Sequence, residues 1–112
     1  MSGARRAALA VLDATLSGRQ TLDRAFERAA AANRLEGPDR AFARALAAVT
    51  LRRLGEADAA VRPFLKRPLP AKALTARNIL RLGAAQLLFF ETPAHAAVGE
   101  TTGLATGRSS TY

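Results

Sequence analysis

The residues best suited to chemistry in this chain are basic. Between Ala59 and Phe90 there is no Asp or Glu, yet Arg62, Lys66, Arg67, Lys72, Arg77 and Arg81 all fall there. A guanidinium offers phosphate a planar, often bidentate set of donors, so such a stretch suits a phosphate backbone. Arg77 and Arg81 are four residues apart and share one helix face. Arg67-Pro68-Leu69-Pro70 cannot be helical throughout and reads as a stiff connector. Together these residues would present a fixed phosphate-binding edge; the alternative is a solvated basic face. Arg5 and Arg6 form a second cluster, useful only where the start of the first helix is exposed. A third comprises Arg40 and Arg44 with Arg52 and Arg53, but Glu36, Asp39 and Glu56 stand close by in sequence. Arg24 and Arg28, beside Asp23 and Glu27, are expected to matter less.

Other chemistry finds few candidates. The chain has no cysteine, which excludes disulfides, thiolate metal sites and a thiol nucleophile. His95 is the only histidine, without a second ligand at metal-binding spacing, and suits the first turn of a helix. Neither a Ser-His-Asp grouping nor a glycine-rich loop after a strand is present to support catalysis or nucleotide binding. Gly99, Gly103 and Gly107 repeat every fourth residue, which outside a membrane suggests only a close packing contact or a loosely held helix. The five Phe mostly fall on apolar stripes, so no exposed stacking platform for single-stranded bases is expected. Gln86 shares a face with Ile79, Leu82, Gly83 and Phe90, so its amide should be buried and must find partners.

The elements that would carry these residues are helices. Alanine is abundant, β-branched residues are few, and apolar residues recur at helical spacing. The first helix is expected from Ala4 to Leu16, stopping at Gly18. Thr21 caps a second, with Leu22, Phe26 and Ala29 inward. Pro38 or Asp39 opens a third, with Phe42, Leu46 and Val49 as its stripe. A fourth, near Glu56 to Leu65, should be short or kinked at Pro63. The fifth, Lys72 to Phe90, is apolar nearly all round in its second half, which predicts a central helix covered on several sides. Thr92 and Pro93 start a sixth, from Ala94 to about Ala105. The division expected is a helical domain over residues 1–106 and a flexible tail over 107–112.

The class is therefore all-α, a bundle of about six helices in a chain of 112 residues. Lys and Arg number 17 against 9 acids, a formal charge of +8 that favours acidic partners such as nucleic acid. No apolar run approaches the length of a membrane span, and the first residues lack a secretory pattern, so a cytoplasmic protein without membrane contact is expected.

Leu82-Gly83-Ala84-Ala85-Gln86-Leu87-Leu88, followed by Thr92-Pro93-Ala94-His95-Ala96-Ala97-Val98-Gly99-Glu100-Thr101, resembles the NusB-like domain that begins the Sun/Fmu family of 16S rRNA cytosine carbon-5 methyltransferases. Asp39 through Leu54 resembles that family's third helix, and Arg5-Arg6 leading to Leu12 its opening helix. Val49, Ala85 and Thr102-Gly103 depart from the usual pattern. The resemblance implies an RNA-binding NusB-like bundle, with rRNA as the partner. Catalysis would belong to a separate domain using S-adenosylmethionine and paired cysteines, so no enzyme activity and no cofactor are expected of these residues. It also implies that the chain stops short of the family's last helix in this domain. The face that helix would cover, on helices five and six, should then be open, or filled by the catalytic domain or a second copy. Two other readings stand beside this one. One is a transcription antitermination factor of the NusB type, binding RNA with a ribosomal protein; the other is a protein-interaction helical module. The residues expected to bind RNA are Arg5, Arg6, Lys66, Arg67, Lys72, Arg77 and Arg81.

Overall fold

Short polar residues start the first two helices. In the computed structural model, which describes residues 2–65, 67, 70 and 73–90, Ser2 is extended and its Oγ accepts the Arg5 N–H at 3.3 Å. That cap begins α1 (Gly3–Leu16). Thr21 does the same for α2 (Leu22–Ala32) through the Arg24 N–H, with Asp23 in the positive first turn. Pro38 lies in the first turn of α3 (Gly37–Arg52). Then come α4 (Leu54–Val61), a 3-10 turn (Arg62–Phe64) and α5 (Leu74–Phe89). Among the described residues there is no strand, as the helical spacing predicted. The sixth helix, His95, the glycine series and the tail expected over 107–112 lie outside the described residues.

The fourth helix is shorter than expected. It gives way at Arg62, one residue before Pro63, to a 3-10 turn closed by the Leu65 N–H on the Arg62 carbonyl at 3.1 Å. Proline has no N–H to continue an α-helical ladder, and the tighter turn uses the remaining donors.

Both α1 and α5 are covered on several sides: α5 packs against α1, α3 and α4, as its pattern predicted. Ala4, Ala7, Ala8, Leu9, Val11 and Leu12 are buried, and α1 packs against α2, α3 and α5. Its alanines lie on several faces and let three helices approach closely. In α5 the inward side is Ala76, Ile79, Leu82, Ala85 and Gln86, whereas Leu80, Leu87 and Leu88 are 36%, 48% and 51% exposed. Apolar residues all round α5 therefore suggested more cover than the described residues supply.

One polar chain crosses this packing and sets where α4 sits. Asp13 of α1 accepts from Thr75 Oγ1 at 3.0 Å and from Asn78 Nδ2 at 2.8 Å. Asn78 Oδ1 accepts from Arg81 Nη1 at 2.9 Å, and Arg81 donates through Nε and Nη2 to the two carboxylate oxygens of Asp58 at 2.6 and 3.0 Å. The run Asp13–Asn78–Arg81–Asp58 ties α1, α5 and α4 together. Among the described residues no buried side-chain polar atom lacks a partner.

Candidate nucleic-acid interface

Arg5 is built into the bundle. Its Nε donates to Gln86 Oε1 at 2.6 Å, and its guanidinium lies 5.2 Å from the centroid of Phe42. Phe42 in turn meets Phe90 edge-to-face at 5.8 Å. Gln86 is fully buried, as its position predicted, and its amide nitrogen donates to the Leu82 carbonyl at 3.0 Å. With Nε committed and one face on a ring, Arg5 directs its two Nη groups from a fixed position. Arg6, half-buried on the next residue of α1, forms no ion pair with a described residue.

Arg34 joins this end of the molecule, and sequence reasoning missed it. Two helices end in the same hydrogen-bonded motif. After α1, Gly18 takes the left-handed position at φ 79°, with its N–H on Thr15 and that of Arg19 on Ala14. After α2, Arg34 takes it at φ 52°, with its N–H on Ala31 and that of Leu35 on Ala30. An arginine where glycine is favoured stores strain in an exposed cation. The loop lies against the start of α1, where a Cβ on Gly3 would stand 3.5 Å from Leu35 Cδ2 and 3.8 Å from the Asn33 carbonyl oxygen. The only signal for Arg34 in the sequence was its position one residue after Asn33, the residue that ends α2.

The acid-free stretch is divided by the fold. Arg62 and Arg67 are exposed and form no ion pair with a described residue; Lys66 and Lys72 lie outside the described residues. Arg77 is half-buried and engaged within the structure. Arg81 is a correction: it is 7% exposed and committed to Asp58 and Asn78, so it holds the fold and leaves no face for phosphate. Its i, i+4 relation to Arg77 placed both on one face, but that face is turned toward α4. Because Asp13 meets Asn78 and Arg5 meets Gln86, α1 and α5 run antiparallel. The Arg5 end and the start of α5 are therefore separated by the rise of α1, about 12 Å between Arg5 and Asp13. Arg5 and Arg6 therefore stand apart from Arg77, at the opposite end of the α1–α5 pair.

Acid pairing also departs from sequence proximity. Asp23 pairs with Arg44 and Glu27 with Arg40, each at 2.7 Å across the α2–α3 contact. Arg40 and Arg44 also lie over the ring of Phe26, at 4.9 and 5.6 Å. Arg53 takes Glu56 through Nε and Nη2 and lies 4.0 Å from the centre of Phe89. Arg24 and Arg28, expected to matter less because of their neighbours, form no ion pair with a described residue; they line a shallow depression with Asp23 and Glu27. The helix places adjacent residues on different sides, so sequence neighbours were the wrong partners. Phe64 is a second correction, because it is 86% exposed where no exposed stacking platform was expected.

Among the described residues no group of His, Asp or Glu could hold a metal ion, and no helix is long and apolar enough to cross a membrane. The NusB family model matches residues 2–111. The ribosomal RNA small subunit methyltransferase B of Xanthomonas campestris pv. campestris is 41% identical over 63 residues, 56% of this chain and 14% of that protein. Proteins of the same name from Pseudomonas putida and Pseudomonas syringae pv. tomato are each 34% identical over 101 residues. Those matches cover 90% of this chain and 23% and 22% of the respective proteins. The chain thus spans less than a quarter of the length of the curated relatives it matches. No solved structure matches.

Proposed function

The chain belongs to the NusB family, and we propose that it is the RNA-binding domain of a small-subunit ribosomal RNA methyltransferase, holding rRNA while methyl transfer takes place elsewhere. The observation that carries this reading is the disposition of charge. Asp23, Glu27, Glu56 and Asp58 are each taken by one arginine, while Arg6, Arg19, Arg24, Arg28, Arg34, Arg52, Arg62 and Arg67 have no described acid partner. Of these, Arg62 and Arg67 lie in the stretch without acids, where a phosphate backbone meets donors with no carboxylate beside them in sequence. The likeness to relatives named as ribosomal RNA methyltransferases, along 90% of this chain, supports rRNA as the RNA concerned.

Methyl transfer is assigned no residue here. The described elements are helices, and S-adenosylmethionine is assigned to none of their residues. Their contribution is to bind and orient RNA. Fluorescence anisotropy with short fragments tiling small-subunit rRNA tests the reading against scrambled RNA of equal length at physiological salt. One window of the rRNA should bind more tightly than its scrambled form. Equal, weak binding of every fragment would reduce the chain to a generic polycation and overturn the assignment.

A further inference from the structure

Phe64 is treated differently from every other aromatic ring of its kind in this protein. Of the five phenylalanines, Phe42 and Phe90 pack edge-to-face, Phe26 lies under Arg40 and Arg44, and Phe89 lies under Arg53. Among the described residues Phe64 has none of these contacts, and it is 86% exposed. Burying a phenylalanine side chain is favourable by roughly 1.5–3 kcal/mol, a gain this residue forgoes. Its neighbours do not extend it into an apolar patch: Arg62, Pro63, Arg67 and Pro70 are exposed and Leu65 is half-buried. Among the described residues of this stretch, Phe64 is the one exposed aromatic ring, with Arg62 and Arg67 on either side of it in sequence.

Its backbone is well ordered by local chemistry. Pro63 limits φ, the Leu65 N–H closes the turn on the Arg62 carbonyl, and the turn continues directly from α4. That helix is anchored to α5 by the two-point contact of Arg81 with Asp58. The same contact neutralises the acid closest in sequence before the turn, and none follows until after Phe90. An anionic group approaching Phe64 therefore meets Arg62 and Arg67 without opposition from that stretch.

We infer that Phe64 is a stacking platform for one unpaired nucleobase, with Arg62 and Arg67 holding the phosphates on either side of it. A ring flanked by guanidinium groups suits a ligand that is flat, aromatic and anionic, which describes a nucleotide of single-stranded RNA. Among the described residues of this stretch, an apolar protein partner would find one ring and no other exposed large apolar side chain. The inference rests on the proposed RNA-binding role and adds to it a site that reads an unstacked base.

The chain has no tryptophan, so Phe64→Trp makes a single reporter. The test uses the full chain, a single-stranded RNA oligonucleotide, and the same oligonucleotide carrying abasic positions. Phe64→Ala should weaken binding of the intact RNA about 5- to 150-fold, the range for one base stacked on an aromatic, with the salt slope unchanged. The difference between Phe64→Ala and the parent should vanish on the abasic RNA. Phe64→Trp should keep the affinity, and its emission should be quenched by the intact RNA. Unquenched emission with RNA bound, or an equal loss on intact and abasic RNA, would overturn the stacking site. So would shielding of the tryptophan from a soluble quencher in the free chain, since another part of the protein or a second copy would then cover it. If RNA binds with steep salt dependence but Phe64→Ala has no effect, only this inference fails. If the parent chain binds no RNA, the proposed function fails with it. Since Phe64 is exposed, both variants should melt as the parent does.

Discussion

The Nε of Arg5 lies 2.6 Å from Oε1 of Gln86, joining the first turn of α1 to the last turn of α5 across 81 positions of sequence. Truncation at Gln86 therefore acts on both ends of the pair. Gln86→Ala should cost about 2–3 kcal/mol, from a void and from donors left without partners. Gln86→Leu fills the space but strands the Arg5 Nε, so it should still cost about 1 kcal/mol. Urea melts of the two variants check both values; negligible effects would show that the pair does not form.

Arg81 should behave as a structural residue. Its side chain is 9% exposed and that of Asp58 34%, so removing one partner leaves a charge only partly reached by water. Arg81→Ala should destabilise by about 2–3 kcal/mol, toward the low end for a broken buried pair because of that exposure. Where the variant is folded, its RNA salt slope should equal the parent's. A lowered slope with unchanged stability would return Arg81 to the phosphate set.

Arg34 occupies a left-handed position that glycine takes in the matching turn after α1. Arg34→Gly should therefore stabilise the protein by about 1 kcal/mol, read from the denaturant midpoint, while weakening RNA binding. A more stable variant with unaltered binding would show that the strained arginine has no part in the interface.

The helices were legible because alanine-rich spacing, Ser and Thr caps and prolines are local signals. The buried Gln86 was legible for the same reason, from its place on an apolar stripe. That α1 is as enclosed as α5 was not, because α1's cover depends on small alanines that admit three neighbours, while the leucines of α5 read as buried whichever way they face. Pairing of charges was also hidden: Asp23 and Glu27 reach across to Arg44 and Arg40, a fact of the α2–α3 packing. Arg81 looked free since Asp58 lies 23 residues away, and Phe64 looked buried because phenylalanine usually is. The basic character of the site could be read from the sequence; its division into two ends could not.

The Asp23–Arg44 and Glu27–Arg40 pairs join exposed side chains, so each should couple by only about 0.2–1 kcal/mol. A double-mutant cycle on Arg44 and Asp23, read by thermal melts at low and high salt, checks this. A coupling well above that range, insensitive to salt, would mean that the pair is shielded from water.

The central claim is that a defined subset of arginines carries the RNA. It is tested by the salt dependence of affinity for single-stranded rRNA fragments, measured by anisotropy for the parent and for Arg-to-Gln variants. Arg6→Gln, Arg34→Gln, Arg62→Gln and Arg67→Gln should each reduce the log–log slope by about 0.7, one phosphate contact apiece. Arg40→Gln and Arg44→Gln, whose cations are already paired with Glu27 and Asp23, should change it little. If all six variants shift the slope alike, the arginines are interchangeable and the chain binds RNA through net charge alone, which contradicts the account.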